Sequence, residues 1–374
     1  MVTNSITKNN MDFSLEVAKK ALNHNSSSVN KNMICSPFSI STTLNALVAG
    51  AKGNTLEKLL GLLGYNNMEE VIAMASKSAS VVKSNGVSGG GPIIAYANGV
   101  WLDRKFSLNS SYKEFLLRIF EVQPKVVDFQ AKPYEVVKDV NSWINEQTNG
   151  FIPKVLSSNH TFNQDIVMFL ANALYFKGKW ATTFDSSMTQ NRRFHLLNGD
   201  TVQVPLMKKS NCMYEYGSYK GCKTNTCGLP KLMENIKLSN NMFDNEQIKL
   251  TNINIGNVLL PKFKFESSIE LSSVMKELGL TLPFEYPGEL TKIVDLPSEL
   301  SDLIFVSDIV QSCRIETNET GTEAACFTRK RFATGCAPPS SLDFIVDHPF
   351  MFMIREDHFG KILFMGTVYN PLLD

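Results

Sequence analysis

The sequence predicts an α+β fold in a single domain, and three observations support this prediction. The chain has 374 residues, 43% hydrophobic and 20% charged, enough to bury one large core or two ordinary ones. Segments with helical periodicity lie mostly early in the chain, and segments with strand character mostly later. No linker, composition break or internal repeat divides the chain. We therefore expect residues 1–374 to form one domain.

The clearest helical signal begins at Ser36-Pro37, where a capping side chain precedes a proline at the first helical position. It predicts a helix over Phe38–Ala51, whose mostly apolar and small side chains indicate burial on most sides. A second clear helix covers Tyr134–Thr148, and Asn149-Gly150 favours a left-handed stop after it. Further helices are predicted at Phe13–Leu22, Leu56–Leu63, Met68–Val82, Ser111–Phe120 and Ile269–Leu278.

The strongest strand signal is Ile166–Phe176, a nearly continuous apolar run typical of a central strand covered on both faces. Phe194–Val204 predicts two paired strands around the turn Asn198-Gly199. Gly89–Gly91 is interpreted as a plain turn, because the start of a strand follows it rather than a lysine or a helix. Further strands are predicted at Ile93–Leu102, Val258–Phe265, Phe305–Thr317, Phe344–Ile354 and Ile362–Tyr369.

Charge and composition exclude several classes of protein. The formal net charge of +1 provides no global field for nucleic acid or an anionic membrane, so we expect neither as a partner. The longest apolar run, around Val167–Phe176, is too short to span a membrane. Met1–Met11 is polar, without the apolar centre of a secretory signal, and the seven cysteines lack framework spacing. These features predict a cytoplasmic protein with free thiols.

Candidate catalytic and metal-binding residues are sparse. The five histidines stand singly, and nothing nominates a Cys/His nucleophile pair, so we expect neither a metal nor a cofactor nor an enzyme. His348 lies within an apolar run and is interpreted as a core histidine. Cys222 and Cys227 lie in the irregular segment Tyr214–Asn235 with no histidine nearby, and irregular surface is the preferred interpretation there.

One long polar segment, Glu319–Cys336, interrupts the strand-rich second half of the chain. It follows the predicted strand Phe305–Thr317 and precedes the apolar run Leu342–Ile354. A loop of this length inside a compact domain is uncommon unless it is functional or disordered. We interpret it as the active element of the protein.

Several short motifs follow one another along nearly the whole chain: Ser36–Ile40, Asn98–Trp101, Asn141–Trp143 with the helix end at Gly150, Asn172–Trp180, Leu260–Phe263, Phe344–Ile354 and Gly366. In this order they resemble the serpin family, and among its members the leaderless plant serpins. The resemblance implies a serpin fold: a large, mostly antiparallel central sheet with smaller sheets, eight or nine helices, and an exposed reactive-centre loop at about 319–343.

The resemblance also implies a function for the long loop. Gly321–Ala325 is similar to the hinge of inhibitory serpins, and counting on from it places the scissile bond at Gly335–Cys336. The implied activity is inhibition of a serine endopeptidase, and also of papain-like cysteine proteases, by loop cleavage, acyl-enzyme trapping and insertion of the cut loop into the central sheet. It further implies a monomer, and the extracellular space as a second compartment. The hinge residues are Glu319, Gly321, Thr322, Glu323, Ala324 and Ala325.

The alternation of side chains along an inserting strand singles out one loop residue. If Thr322 and Ala324 face the closed interior of the sheet, Lys330 faces it too. An unpaired buried ammonium is unfavourable unless its stem reaches an edge. Arg329, Lys330 and Arg331 are also alternative cleavage sites for trypsin-like proteases, but a cut there leaves the loop short for full insertion.

Two further features depart from the family pattern. Ser36, Ser39 and Asn172 resemble the gate of the central sheet, but Gln311 stands where the family has a histidine. The segment Tyr214–Asn235 lacks a stretch about long enough for two strands, which predicts an incomplete second sheet with exposed core. A non-inhibitory serpin that is a protease substrate, a binding protein or a storage protein therefore remains the alternative.

Overall fold

The structure is a computed structural model. It describes residues 12–23, 31–84, 93–162, 166–216, 228–236, 238, 250–296, 304–321, 342–356 and 360–373. Within these ranges no helix is long and apolar enough to cross a membrane. The same residues contain no group of three or more His, Cys, Asp or Glu side chains that could hold a metal ion. The triple glycine, Cys222 and Cys227 lie outside the described residues.

Eight α-helices lie in the described residues, in agreement with the predicted number. Helix α2 begins at Pro37, and its N-cap Ser36 accepts a hydrogen bond from the Ser39 backbone N–H at 3.1 Å. Helix α6 ends just before Asn149 and Gly150, which have φ values of 51° and 80° and form the predicted left-handed stop. The helices are α1 (12–23), α2 (Pro37–Gly50), α3 (Gly53–Leu63), α4 (Met68–Ser84), α5 (Ser110–Phe115, followed by a π turn at Leu116–Phe120), α6 (Pro133–Gln147), α7 (Leu229–Asn235) and α8 (Ser272–Glu277).

Twelve strands form three sheets within the described residues. The central sheet has the order β3-β2-β4-β9-β8, the second β1-β12-β11, and the third β10-β7-β6-β5. The strands are β1 (Met33–Cys35), β2 (Ile93–Asp103), β3 (Lys125–Val127), β4 (Met168–Lys177), β5 (Gln190–His195), β6 (Thr201–Tyr216), β7 (Thr251–Pro261), β8 (Phe263–Glu270), β9 (Val306–Thr317), β10 (Leu342–Ile345), β11 (Phe350–Glu356) and β12 (Lys361–Val368).

The middle of the central sheet determines where the candidate site lies. Strands β4 and β9 are neighbours and run parallel, with Asn172 opposite Gln311. Each also has an antiparallel partner on its outer side, β2 for β4 and β8 for β9. One face of this sheet packs on α6, where Trp101 meets Trp143 edge to face with ring centroids 5.2 Å apart. The other face packs on α2 and on the second sheet.

Three predicted elements differ from the structure. Val258–Phe265 is not one strand but parts of β7 and β8, because β7 ends at Pro261, which has no backbone N–H to continue the ladder. The helix predicted at Ile269–Leu278 begins only at Ser272, because alternating burial keeps Ile269 in β8. Phe344–Ile354 is likewise divided between β10 and β11, which belong to different sheets.

The assignment of His348 as a core histidine is wrong. Its side chain is 67% exposed, and its Nδ1 lies 2.7 Å from Asp347 Oδ1. The imidazole stacks on that of His195 with ring centroids 4.7 Å apart. The residue lies in the turn between β10 and β11, where the chain leaves one sheet for another, so the surrounding apolar run does not bury it.

The second sheet is incomplete in the described residues, as predicted. It contains three strands, and β11 pairs with β12 on one side only. Every residue of β11 is half-buried, including the five apolar residues Phe350–Ile354. The shortened sheet therefore leaves apolar side chains accessible along its edge.

Candidate functional site

The long loop is attached at two points of the structure. On one side β9 ends at Thr317 and the chain continues through Asn318–Gly321, and on the other side the chain enters β10 at Leu342. Glu319 and Gly321 are thus the only predicted hinge residues within the described ranges. The other predicted loop residues lie outside them: Thr322, Glu323, Ala324, Ala325, Arg329, Lys330, Arg331, Gly335 and Cys336.

Glu319 holds the start of the loop at the end of the central sheet where β9 ends. Its carboxylate accepts a hydrogen bond from Thr189 Oγ1 at 2.8 Å and forms an ion pair with Lys262 Nζ at 2.8 Å. Its carbonyl accepts the Phe184 N–H at 3.0 Å. Burial acts to raise the pKa of Glu319, but the hydrogen bonds and the positive charge of Lys262 outweigh it and hold the pKa below its ordinary value. The carboxylate therefore stabilises the folded state in its ionised form.

Replacing Glu319 by glutamine (E319Q) is expected to lower the free energy of unfolding at pH 7 by about 1 kcal/mol, because the ion pair is lost while part of the hydrogen bonding remains. Because the pKa of Glu319 is lowered in the folded state, its carboxylate stabilises the fold at pH values above its ordinary pKa, roughly 4.3. This contribution disappears as the pH falls through the lower folded-state pKa. The free energies of unfolding of wild type and E319Q should therefore become equal at acidic pH. Urea denaturation between pH 3 and pH 8 measures the difference.

The control for this experiment is Glu316→Gln. Glu316 also faces a lysine, Lys264, but at 3.6 Å and with both side chains more exposed than that of Glu319. We expect its substitution to change stability by less than E319Q does. A difference between wild type and E319Q that is the same at pH 3 and pH 7 would contradict the assigned role of the charge.

Gly321 lies where no side chain fits. Its φ is +36°, and an added Cβ would lie 2.6 Å from the backbone nitrogen of Trp180 and 3.0 Å from the Gly178 carbonyl oxygen. The Trp180 indole N–H donates to the Asn318 carbonyl at 2.7 Å in the same turn. Gly321 is therefore packed against the end of β4, and the loop leaves the sheet from a fixed point.

The predicted gate residues Ser36, Ser39, Asn172 and Gln311 are buried together beneath the middle of the central sheet. Gln311 binds the start of α2: its Oε1 accepts the Ser36 N–H at 2.7 Å and the Cys35 thiol at 3.1 Å, and its Nε2 donates to the Ser36 carbonyl at 3.1 Å. The amide thus pairs with both backbone groups of one residue and connects β9 to α2.

A separate network surrounds Asn172 on the neighbouring strand. Its Oδ1 accepts the Ser39 hydroxyl, and its Nδ2 donates to Asn98 Oδ1 and, at 3.2 Å, to the Ala97 carbonyl. Among the hydrogen bonds of the described residues, none joins the Gln311 side chain to Asn172 or to the Ser39 side chain. Two adjacent networks therefore hold β4 and β9, with no side-chain bridge between the strands.

Three residues of this region were not singled out from the sequence: Lys262, Thr189 and Trp180. Trp180 closes the motif Asn172–Trp180, so its position was available as a signal. Lys262 lies within the motif Leu260–Phe263, 57 residues before Glu319, so its position was available too, whereas Thr189 lies 130 residues before Glu319 and looks like an ordinary surface residue in the sequence. Only the fold brings them to the hinge.

Comparison with known proteins gives one consistent result. The profile of the family described as Serpin (serine protease inhibitor) matches residues 8–371. The chain is 36% identical to Serpin-Z2B of Triticum aestivum over 375 residues, which cover 94% of this chain and 93% of that protein. It is 34% identical to Serpin-ZX of Arabidopsis thaliana over 369 residues, covering 92% and 93% of the two chains.

A solved structure agrees with these relatives. The native stressed conformation of the Arabidopsis serpin AtSerpin1 superposes with a TM-score of 0.84 at 32% sequence identity, and the alignment covers 100% of this chain and 99% of that one. The family profile, the plant relatives and this structure extend over the same length of sequence. The chain therefore belongs to the serpin family of serine protease inhibitors.

Proposed function

We propose that this chain inhibits a serine endopeptidase as a suicide substrate. The protease serine Oγ attacks the Gly335 carbonyl carbon, the bond to the Cys336 nitrogen breaks, and the amine of Cys336 leaves with a proton. The ester between Gly335 and the protease then persists, because the cut loop enters the central sheet and carries the protease with it before water completes hydrolysis. Papain-like cysteine proteases would be trapped through the analogous thioester.

The observation that carries this proposal is the parallel pair β4 and β9 beside the start of the loop. The loop leaves β9 at its C-terminal end, so a segment that turns back between the two strands runs antiparallel to both. One parallel pairing is then replaced by two antiparallel ones, which are slightly more stable per residue. The arrangement of strands thus supports loop insertion as an energetically favourable step.

The length of the loop supports the same step. Fifteen residues precede the cut, from Gly321 to Gly335, and at about 3.3 Å per residue they span roughly 50 Å when extended. That distance is comparable to a whole domain. Because Glu319 and Gly321 are held against Lys262 and Trp180, the insertion has a fixed starting point.

The test is incubation of the purified protein with trypsin-like, chymotrypsin-like, elastase-like and papain-like proteases. We expect a covalent complex that survives denaturing electrophoresis, and an ester that is sensitive to hydroxylamine. The matched variants are Ala324→Arg, which places a cation on the inward face of the inserted strand, and Ala325→Arg, which places it on the outward face. Only the first should convert the protein from an inhibitor into a substrate.

The alternative, a non-inhibitory serpin that acts as a substrate, binding protein or storage protein, is favoured by the separate gate networks and by the shortened second sheet. It predicts clean cleavage of the loop by every protease with no covalent complex. That outcome, together with an unchanged melting temperature after cleavage, would reject inhibition.

We further propose that the chain forms one domain, has no enzymatic activity, and acts as a monomer in the cytoplasm, with the extracellular space as the alternative compartment. Sedimentation of the purified protein tests the monomer. A fluorescent fusion at the C-terminus, observed in plant cells with and without plasmolysis, distinguishes the two compartments.

A further inference from the structure

The edge of β11 is a second surface, next to the start of the long loop. Within the described residues β11 pairs only with β12, so the backbone groups of Phe350–Ile354 along its other edge face no partner strand there. Phe350–Ile354 supplies five consecutive apolar residues on this edge, all half-buried. An unprotected apolar edge of this kind is a template for pairing with another strand.

The edge lies along a cavity of about 540 Å³. Its walls come from five other strands and their ends, β4, β7, β8, β9 and β10, and they are mainly apolar; Phe176, Trp180, Leu260, Phe263 and Ile315 contribute. A pocket of this size accommodates the side chains of a short peptide. Backbone groups on one wall and apolar contacts on the others are the two requirements of binding by strand addition.

The shape of the cavity favours a single extended segment as the occupant over an edge strand from a second copy of this chain. Leu260 and Val346, from the third sheet and the turn that follows it, and Phe176, from the central sheet, line the same space as β11. The edge is therefore recessed between the two larger sheets. An added strand must lie about 4.8 Å from β11 to pair with it. If that strand belonged to a second copy of this chain, the rest of the copy would contact these walls before the strand came that close.

The charged side chains that line the cavity favour an occupant of a particular charge. Two cationic side chains, Lys179 and Arg355, and one carboxylate, Glu316, line the cavity. Glu316 is paired with Lys264, whereas Lys179 forms no ion pair within the described part of the chain. Lys179 therefore places an uncompensated positive charge in the lining, and a carboxylate on the occupant would complement it.

We propose that this groove, formed by β11 and the cavity beside it, binds an extended segment of a partner protein as an added strand. The segment spans five residues opposite Phe350–Ile354, about 17 Å. Its apolar side chains enter the cavity, and an Asp, Glu or terminal carboxylate lies at Lys179. Main-chain pairing provides affinity, and the cavity and the cation provide selectivity.

The test uses the peptide acetyl-Asp-Val-Thr-Val-Thr-Val-Asp-amide and the intact protein without protease. Trp180 lines the cavity and reports binding by its fluorescence, and the Trp180→Phe variant identifies its share of the signal. We expect saturable binding. Affinity should fall at least tenfold for the same peptide with Lys in place of Asp, and at least tenfold when alternate amides are N-methylated, because this removes the hydrogen-bond donors.

The Lys179→Glu variant should reverse the preference between the Asp-ended and Lys-ended peptides. Lys58→Glu, on the exposed face of α3, is the matched control and should leave both affinities unchanged. The proposal is overturned by absence of binding or by equal binding of the N-methylated peptide. It is also overturned if Lys179→Glu leaves the affinities unchanged, because the peptide would then bind elsewhere, for example between β4 and β9. Dimers that the peptide dissociates would also overturn it, because they would make a second copy the occupant.

Discussion

Replacing Lys330 by threonine should increase the number of protease molecules trapped per molecule of inhibitor. In the proposed insertion, side-chain alternation from Thr322 would place Lys330 on the inward face of the new strand, where an unpaired ammonium costs several kcal/mol. If about 1.4 kcal/mol of this cost is already present in the transition state for insertion, insertion accelerates roughly tenfold relative to deacylation. The stoichiometry of inhibition, titrated against an elastase-like protease, measures the effect.

The matched control is Arg329→Thr, which removes a neighbouring cation and a potential tryptic site from the outward face. It should leave the stoichiometry unchanged. The melting temperature after cleavage between Gly335 and Cys336, with the cut verified by mass spectrometry, provides a second measurement: the rise should be larger for Lys330→Thr than for wild type or Arg329→Thr. Equal behaviour of the two variants would show that Lys330 does not enter the sheet interior.

Replacing Gln311 by alanine is expected to lower the free energy of unfolding by about 3–5 kcal/mol. The substitution removes three hydrogen bonds, leaves the buried Ser36 N–H without a partner and the Ser36 carbonyl with only the Ile40 N–H, and opens a cavity beneath β9. The orphaned N–H alone costs roughly 1–3 kcal/mol, which makes this one of the most sensitive positions of the sheet. Urea denaturation at neutral pH measures the loss.

Ser312→Ala is the control for the gate experiment. Ser312 is the next residue of β9 and equally buried, but its hydroxyl is bonded to a single partner, Ser268 Oγ at 3.2 Å. Its substitution should cost about 1 kcal/mol. If Gln311→Ala costs no more than Ser312→Ala, the contacts between Gln311 and the start of α2 do not stabilise the sheet.

Sequence patterns predicted the elements whose signals are local. Helix α2 follows from the cap at Ser36 and from Pro37, and β4 follows from an unbroken apolar run, because both signals are contained in the segment itself. The division between β7 and β8 depends on Pro261 and on the different sheets that the two strands join. A pattern of apolar residues cannot distinguish one long strand from two strands with different neighbours.

The gate residues show how much of the candidate site could be predicted from the sequence. The resemblance led to Gln311, Ser36, Ser39 and Asn172, and the structure buries all four together. The partners of Gln311 could not be predicted, because they depend on shape: a planar amide carries a donor and an acceptor side by side and therefore matches the N–H and C=O of Ser36, 275 residues away in sequence. No composition or spacing signals such a pairing.

The thiol that contacts Gln311 has a practical consequence. Burial raises the pKa of Cys35 to about 12, only partly opposed by a backbone hydrogen bond at Ser36, and burial also raises the pKa of Cys313 on β9. Since alkylating reagents react with the thiolate, both cysteines should resist labelling while the sheet is closed. Iodoacetamide incorporation at Cys35 and Cys313, followed by mass spectrometry, would therefore time the opening of the central sheet without an attached probe.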